Sequence, residues 1–280
     1  MRVIRCSSLP TWPDCERRFA VTKFRYEVEA AGFKVTNRPP SIGAPVGSGA
    51  HAAVARSWEG LLLTGDAWAP LDEAEAVGIA TLHERLEEDG VTWDDTTPSA
   101  NDAEHAIRKI VRSYRQHARP DRQPELVEKE MRVIINDDWE LVGHCDFAGR
   151  DGGAFYDRGT RVLDDLKTGV QIPSPGEQLG AYDLGLEATA EAPQKVSMTY
   201  CRRTRRTAEQ PPPLVVPFDR GVIRRQARRA INEVVSSMDS FLESGDPFAF
   251  RANPQSKLCG AKYCPAFHTK FCLESWAKPE

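Results

Sequence analysis

The stretch 143-GHCDFAGRDGGAFYDRGTRVLDDLKTG-169 carries two carboxylates and a lysine on two predicted strands, Trp139 to Ala148 and Arg161 to Lys167. Side chains alternate across a strand, so Asp165 and Lys167 at i and i+2 project from one face, and a neighbouring strand can set Asp146 beside them. Two converging carboxylates suit a hard divalent cation such as magnesium. The lysine ammonium can steady an attacking water or the charge that develops on phosphate. The pattern therefore fits metal-assisted phosphodiester hydrolysis, the alternative being an exposed strand ion pair with Asp146 as a turn residue.

Upstream, Leu126 to Ile135 reads as a strand joined to Trp139 to Ala148 by the turn-like Asn136-Asp137-Asp138, which makes a hairpin. Arg150 to Gly159 is a polar connection. Downstream, Gly176 to Glu187 reads as a helix, Lys195 to Arg202 and Leu214 to Phe218 as strands, and Asp219 to Leu242 as a long amphipathic helix. Its apolar positions Val222, Ile223, Ala227, Ala230, Ile231, Val234, Val235, Met238 and Phe241 recur every three or four residues and form one buried stripe. Before the break at Pro120 to Pro124 the chain is mostly helical, over Asp14 to Val28, Ala50 to Leu63, Leu71 to Glu88 and Ala103 to His117. With helices and strands both recurring along it, the chain is read as α/β.

The 280 residues suffice to bury a real core, and 40% hydrophobic with 28% charged residues is the composition of a soluble globular protein. The 20 Gly and 20 Pro are too dispersed for a fibrous or low-complexity chain. The opening MRVIRCSSLPTWPDCERRF lacks the apolar run of a signal peptide and no window is long enough to span a bilayer, so no membrane association and a cytoplasmic location are expected. The net charge of -4 hides a polarity along the chain. Between Glu59 and Glu104 thirteen acids face the single base Arg85, whereas Arg202, Arg203, Arg205, Arg206, Arg220, Arg224, Arg225, Arg228 and Arg229 face only Glu209 and Asp219. Such a basic run can attract a phosphate backbone while the acidic segment repels it; the plainer reading of each run is a solvated helix face.

Four signals follow one another: Gly-x-His at 49 to 51, with Gly47-Ser48-Gly49-Ala50-His51 opening a helix, Gly-x-x-Asp at 143 to 146, Asp-x-Lys-Thr-Gly at 165 to 169, and Gln-x-x-x-Tyr at 178 to 182. In this order they resemble the RecB-like branch of the PD-(D/E)XK nuclease superfamily, which includes phage and CRISPR-associated exonucleases. The resemblance covers roughly residues 5 to 20, 47 to 60 and 125 to 275. It implies a restriction-endonuclease-like core with a mixed central sheet flanked by helices, an acidic helical insertion over residues 64 to 120, and one nuclease domain spanning the chain. It further implies that His51, Asp146 and Asp165 ligate Mg2+ or Mn2+, that Lys167 assists the water, and that Gln178 and Tyr182 lie on one helix face near the DNA. Glu128 or Glu130 is a further acid for the site, and the residues leave that choice open. DNA, and single-stranded ends in particular, is the implied partner, drawn in by Arg202, Arg203, Arg205, Arg206, Arg224, Arg225, Arg228 and Arg229 and by Arg17 and Arg18. Other readings are a non-catalytic DNA-binding or recombination-accessory module, or an interaction protein whose acidic segment mimics DNA or docks a basic partner.

Seven cysteines, an odd number in a reducing compartment, favour metal or cluster ligation over disulfides. Cys259, Cys264 and Cys272 form C-x4-C-x7-C near the end, and Cys15 stands alone near the start. The resemblance implies that these four hold a [4Fe-4S] cluster joining the tail, residues 250 to 280, to Cys15. The spacing departs from the tighter triplets common in that family, and a structural Zn2+ on the same cysteines, with His268 able to replace one, is the rival. Cys6 is a substitute for Cys15, while Cys145 and Cys201 read as buried thiols.

Overall fold

In the computed structural model, residues 1–65, 67–117, 122–152, 159–189 and 192–277 are described. The sequence-predicted connection through Gly153 and the break at Pro120 lie outside them. Six strands form one mixed sheet: β1 (Arg2–Arg5), β2 (Gln123–Ile134), β3 (Trp139–Asp151), β4 (Thr160–Gly169), β5 (Lys195–Arg202) and β6 (Leu214–Phe218). The order is β1-β3-β4-β5-β6, with β2 also paired to β3. β1 runs parallel to β3 and β4 parallel to β5, and the remaining pairs are antiparallel. The sequence reading missed β1, whose four residues are too few to establish a period of two.

β3 is a fork. Along one edge β2 pairs with it from Gln123 opposite Arg150 to Ile134 opposite Glu140. On the other edge β1 takes residues 139 to 142 and β4 takes 147 to 151. Among the described residues, Gly143 to Asp146 have no ladder partner on that second edge.

Alternation along β4 divides the core. Val162 and Leu166 join Phe147 beneath α3 (Gly43–Thr64), α4 (Leu71–Asp89) and α5 (Ala100–His117), whose contribution includes Trp58, Leu82, Ile107 and Ile110. Leu163 points the other way, into a core with Met198, Leu179, Ile231 and Phe241 under α6 (Gly176–Thr189) and α7 (Arg220–Ser244). The acidic segment expected as an insertion thus shares its apolar side with α3 and the sheet. Some of its charges are met by neighbours, Arg112 Nε lying 2.6 Å from Glu75 and Arg56 Nη2 2.7 Å from Glu73. α7 buries its stripe from Ile223 to Phe241, although Val222 is 43% exposed. Asp219 caps it by accepting from Val222 N, and Gly245 ends it at φ 66°, a left-handed backbone that glycine adopts without steric cost.

Residues 14 to 28, predicted as one helix, form α1 (Glu16–Lys23) and α2 (Arg25–Ala30), because Phe24 leaves helical backbone and packs against Phe19 and Trp139. Helix α1 also corrects the expectation for Arg17 and Arg18. Arg17 is 1% exposed, donating from Nε to the Phe250 carbonyl and from Nη1 to the Phe271 carbonyl while pairing with Glu274. Arg18 binds Asp14 at 2.7 Å and donates to Ser256 Oγ. The five donors of a guanidinium are here used to tie the start of the chain to its tail, so neither residue is free to meet DNA.

At the crossing of α6 and α7 a Cβ on Gly180 would stand 2.1 Å from the Ile223 carbonyl oxygen, backbone that cannot yield locally. Gly180→Ala should therefore destabilise the protein by about 2 kcal/mol, read as a lower midpoint in urea. An unchanged midpoint would mean that the two helices do not meet there.

Candidate active site

Asp146 lies in the gap of the β3 fork, one residue before β4 begins to pair. The Leu166 N–H donates to its Oδ2 at 2.7 Å, so a side-chain carboxylate from β3 substitutes for a ladder carbonyl and is pinned to β4. Leu166 is flanked by Asp165 and Lys167. As the period of a strand requires, these two share a face, with Lys167 Nζ 2.7 Å from Asp165 Oδ2. Asp165 is fully buried, and its Oδ1 accepts from Gln178 Nε2 at 3.3 Å. Gln178 also donates to Tyr182 Oη at 2.8 Å, the i and i+4 pair on α6.

From the opposite layer α3 brings His51, whose Nδ1 stands 3.2 Å from Asp146 Oδ2 and 3.8 Å from Glu128 Oε1. The helix begins at Gly43, so Gly47 to His51 lie inside it rather than opening it. Glu128 sits in β2 at φ 45°, a left-handed backbone unusual for a residue with a side chain and often found where a site needs a group re-aimed. Glu130 is turned elsewhere, pairing with Arg132 at 2.7 Å and with His144 at 3.6 Å. Between the two glutamates, then, Glu128 is the one placed at the cluster. Among the described residues His51, Glu128 and Asp146 form a trio whose ligand atoms all lie within 4.8 Å of one another. Asp165 stands outside that trio, at the floor beside Lys167.

Burial disfavours the His51 cation, but Asp146 and Glu128 outweigh it and push the imidazole up to about 10. Burial likewise raises Asp165, Asp146 adds to the rise, and Lys167 opposes it, leaving its carboxyl above the usual range. For Asp146 itself burial is overcome by His51, Lys167 and the Leu166 N–H, which hold it below its ordinary value. Crowded carboxylates with one imidazole nitrogen make a donor set that a hard divalent cation would satisfy, because the cation compensates the charge that burial penalises.

The site opens into a cleft of about 1030 Å³ lined also by Arg5, Arg85 and Arg132. The sequence reading missed these arginines. Arg85 had a signal, as the lone base in an acidic run, whereas Arg5 depends on the unforeseen β1. The expected arginine run divides. Arg202, Arg205, Arg206, Arg225, Arg228 and Arg229 are exposed, with Arg229 Nε 2.7 Å from Glu233. Arg203 is 5% exposed and pairs with Asp94 at 2.6 Å, and Arg224 lies 2.8 Å from the buried Asp183 and 2.6 Å from Glu187. These two are structural ties, since a paired guanidinium has fewer donors left for phosphate.

Cys15, Cys259, Cys264 and Cys272 line one small cavity where α1 meets the tail, and the other three thiols all act on Cys264, whose own thiol burial pushes up to about 11. Cys6 is elsewhere, against Gly143 and Tyr182: a Cβ on Gly143 would meet its Sγ at 2.7 Å. His268 does not line the cavity but stacks between Phe267 and Trp276, with Nε2 3.0 Å from the Ser275 carbonyl. Cys145 and Cys201 are fully buried in β3 and β5.

A family model described as the PD-(D/E)XK nuclease superfamily matches residues 6–268. The chain belongs to the PD-(D/E)XK nuclease superfamily. Nucleases of this superfamily use divalent metals such as Mg2+ or Mn2+, and the trio at His51 is a possible acidic metal site for one. A comparison with curated proteins gives no match. Among solved structures, one titled "Crystal structure of SSO0001" is 15% identical, with 75% of this chain and 85% of that chain covered and a TM-score of 0.25. So low a score carries no argument. Among the described residues no helix is long and apolar enough to cross a membrane.

If Glu128 contributes a ligand and Glu130 does not, Glu128→Gln should weaken Mn2+ binding about tenfold or more, whereas Glu130→Gln should leave it nearly unchanged. Titration calorimetry on both variants checks this. Equal losses would remove the distinction drawn from their contacts.

Proposed function

We propose that this nuclease is a RecB-like deoxyribonuclease that acts on single-stranded DNA ends as an exonuclease, in recombination, repair or phage DNA processing. His51, Asp146 and Asp165 would hold the divalent cation, with Glu128 joining them. The observation that carries the reading is the bond from Leu166 N to Asp146, which sets Asp146 beside the Asp165–Lys167 pair at the mouth of an arginine-lined cleft.

When bound, the cation supplies a Lewis acid that activates water and offsets charge on the departing oxygen. The side chains do the rest. Lys167, held charged by Asp165 and Asp146 against the cost of burial, donates to the incoming water and keeps it in line with phosphorus. Gln178 orients both Asp165 and Tyr182, so α6 fixes the floor against which the phosphate rests. Arg5 attracts the backbone without reading bases, so no sequence specificity is expected, while Arg132, paired with Glu130 and Glu140, and Arg85, paired with Glu88, have fewer donors left for phosphate. The accessory-module reading is disfavoured by the same geometry, since a DNA-binding scaffold has no use for a buried carboxylate pair with a lysine on it.

The four-cysteine cavity supports a [4Fe-4S] cluster as the structural cofactor. Its soft thiolate donors, beside Arg17 and Arg18, fit such a group, which would act in stability rather than in hydrolysis.

End-labelled single- and double-stranded DNA incubated with Mg2+ or Mn2+, against EDTA, tests the activity. Asp165→Ala and Lys167→Ala should each lower kcat by about a thousandfold or more, with circular dichroism unchanged. Near-wild-type cleavage by both would overturn the assignment of the site.

Iron and sulfide analysis of anaerobically prepared protein tests the cofactor. Cys15→Ala should lose the iron, and Cys6→Ala should retain it. Stoichiometric zinc without iron would reject the cluster.

A further inference from the structure

A second groove, of about 650 Å³, lies immediately past the active-site cleft and is lined by Val170, Arg202, Arg205, Gln210 and Pro212. Neither the superfamily match nor the carboxylate site assigns it a role. The two depressions are neighbours along β4. Lys167 and Thr168 of β4 line the cleft and Val170, just after β4, lines the groove. Arg202 stands opposite Gly169 in the β4–β5 ladder. Gly43 of the cleft is near Arg203 of the groove, a Cβ built on Gly43 coming 3.4 Å from Arg203 Nη2. From Lys167 to Gly169 the strand rises about 7 Å, a short step between the two linings.

The groove is built on a fixed loop. Residues 203 to 213 lack regular secondary structure, yet Lys109 of α5 donates to Thr204 Oγ1 at 2.8 Å and to the Arg205 carbonyl at 3.0 Å. Ser113 donates to the Pro211 carbonyl, Gln210 to the Arg202 carbonyl, and the Arg203 N–H to the Gly169 carbonyl. Arg203 is spent on Asp94 and Thr97, which lock the loop to the segment before α5. Arg202 and Arg205 are thereby presented, exposed, from a platform that needs no ordering on binding, with Glu209 the acid along the same lining.

Resting on the nuclease reading, we infer that this groove holds the single DNA strand that continues beyond the scissile phosphate, with Arg202 and Arg205 on consecutive or next-but-one phosphates. Single-stranded DNA is the occupant because cleft and groove, at about 1030 and 650 Å³, are each the size of a small-molecule pocket and hold a few nucleotides, not a duplex. The arginines of α7 line neither depression. The groove therefore sets the length of strand the enzyme grips.

The test is binding in EDTA of single-stranded oligonucleotides of about four and about twelve nucleotides, the longer chosen to reach past the cleft into the groove. Wild type is compared with Arg202→Gln/Arg205→Gln and with Arg225→Gln/Arg228→Gln on α7. In the first double variant the ratio of long to short affinity should fall about tenfold, and the salt slope for the long strand should drop by about 1.4, two phosphates at 0.7 each. The α7 variant should keep the wild-type ratio. A ratio within about twofold of wild type in the groove variant, or an equal fall in both variants, would overturn the inference. Equal losses for short and long strands would also overturn it, by assigning these arginines to the cleft. Because no cleavage is measured, failure of the nuclease reading, seen as no metal-dependent hydrolysis by wild type, is a separate result.

Discussion

The hydrogen bond from the Leu166 N–H to the Asp146 carboxylate is the contact on which the site depends. It exists because β3 exchanges partners along one edge, β1 up to residue 142 and β4 from residue 147, leaving a short length of strand whose backbone is not committed to a ladder on that side. In that interval a carboxylate can take a ladder donor on Oδ2 while the same oxygen stands beside His51. The arrangement fixes Asp146 against Asp165 and Lys167 without asking any loop to position them. Gly143, at the start of the interval, lets Cys6 and Tyr182 approach where any side chain would collide with both.

Charge in this molecule is used in two ways that formal counting does not separate. At the cleft, negative charge is concentrated and buried with Lys167 and His51 beside it, an arrangement whose cost a divalent cation would lower. Elsewhere opposite charges are spent on cohesion. Arg17, Arg203 and Arg224 are each engaged with carboxylates or carbonyls, and the acidic helices meet arginines from neighbouring elements. What remains for a phosphate backbone is a smaller set on the rims of the cleft and the adjoining groove. A guanidinium in a buried junction and one on a solvent face are identical in sequence and differ only in what surrounds them.

Joining the two chain ends is the other constraint. Glu16, Arg17 and Arg18 of α1 hold Arg251, Phe250, Phe271 and Ser256 of the tail, and the four cysteines gather at the same junction. The aromatic packing of Phe241, Phe250 and Phe271 gives this junction an apolar base independent of any group the cysteines carry.

The sequence by itself determined the α/β class, the hairpin, the amphipathic last helix and the shared face of Asp165 and Lys167, because periods of two and of three to four are local properties of the backbone. The order of their motifs also singled out His51, Gln178 and Tyr182, which all line the cleft. The choice of Glu128 over Glu130 belonged to tertiary structure, since it turns on a positive φ within β2 and on the approach of α3 from another layer. So did the loss of Arg17, Arg18, Arg203 and Arg224 to internal pairing, and the gain of Arg5 and Arg132 at the cleft. A residue's exposure depends on contacts made with segments as many as 254 residues away, as for Arg17 and Phe271, and no local period records which of those segments will arrive.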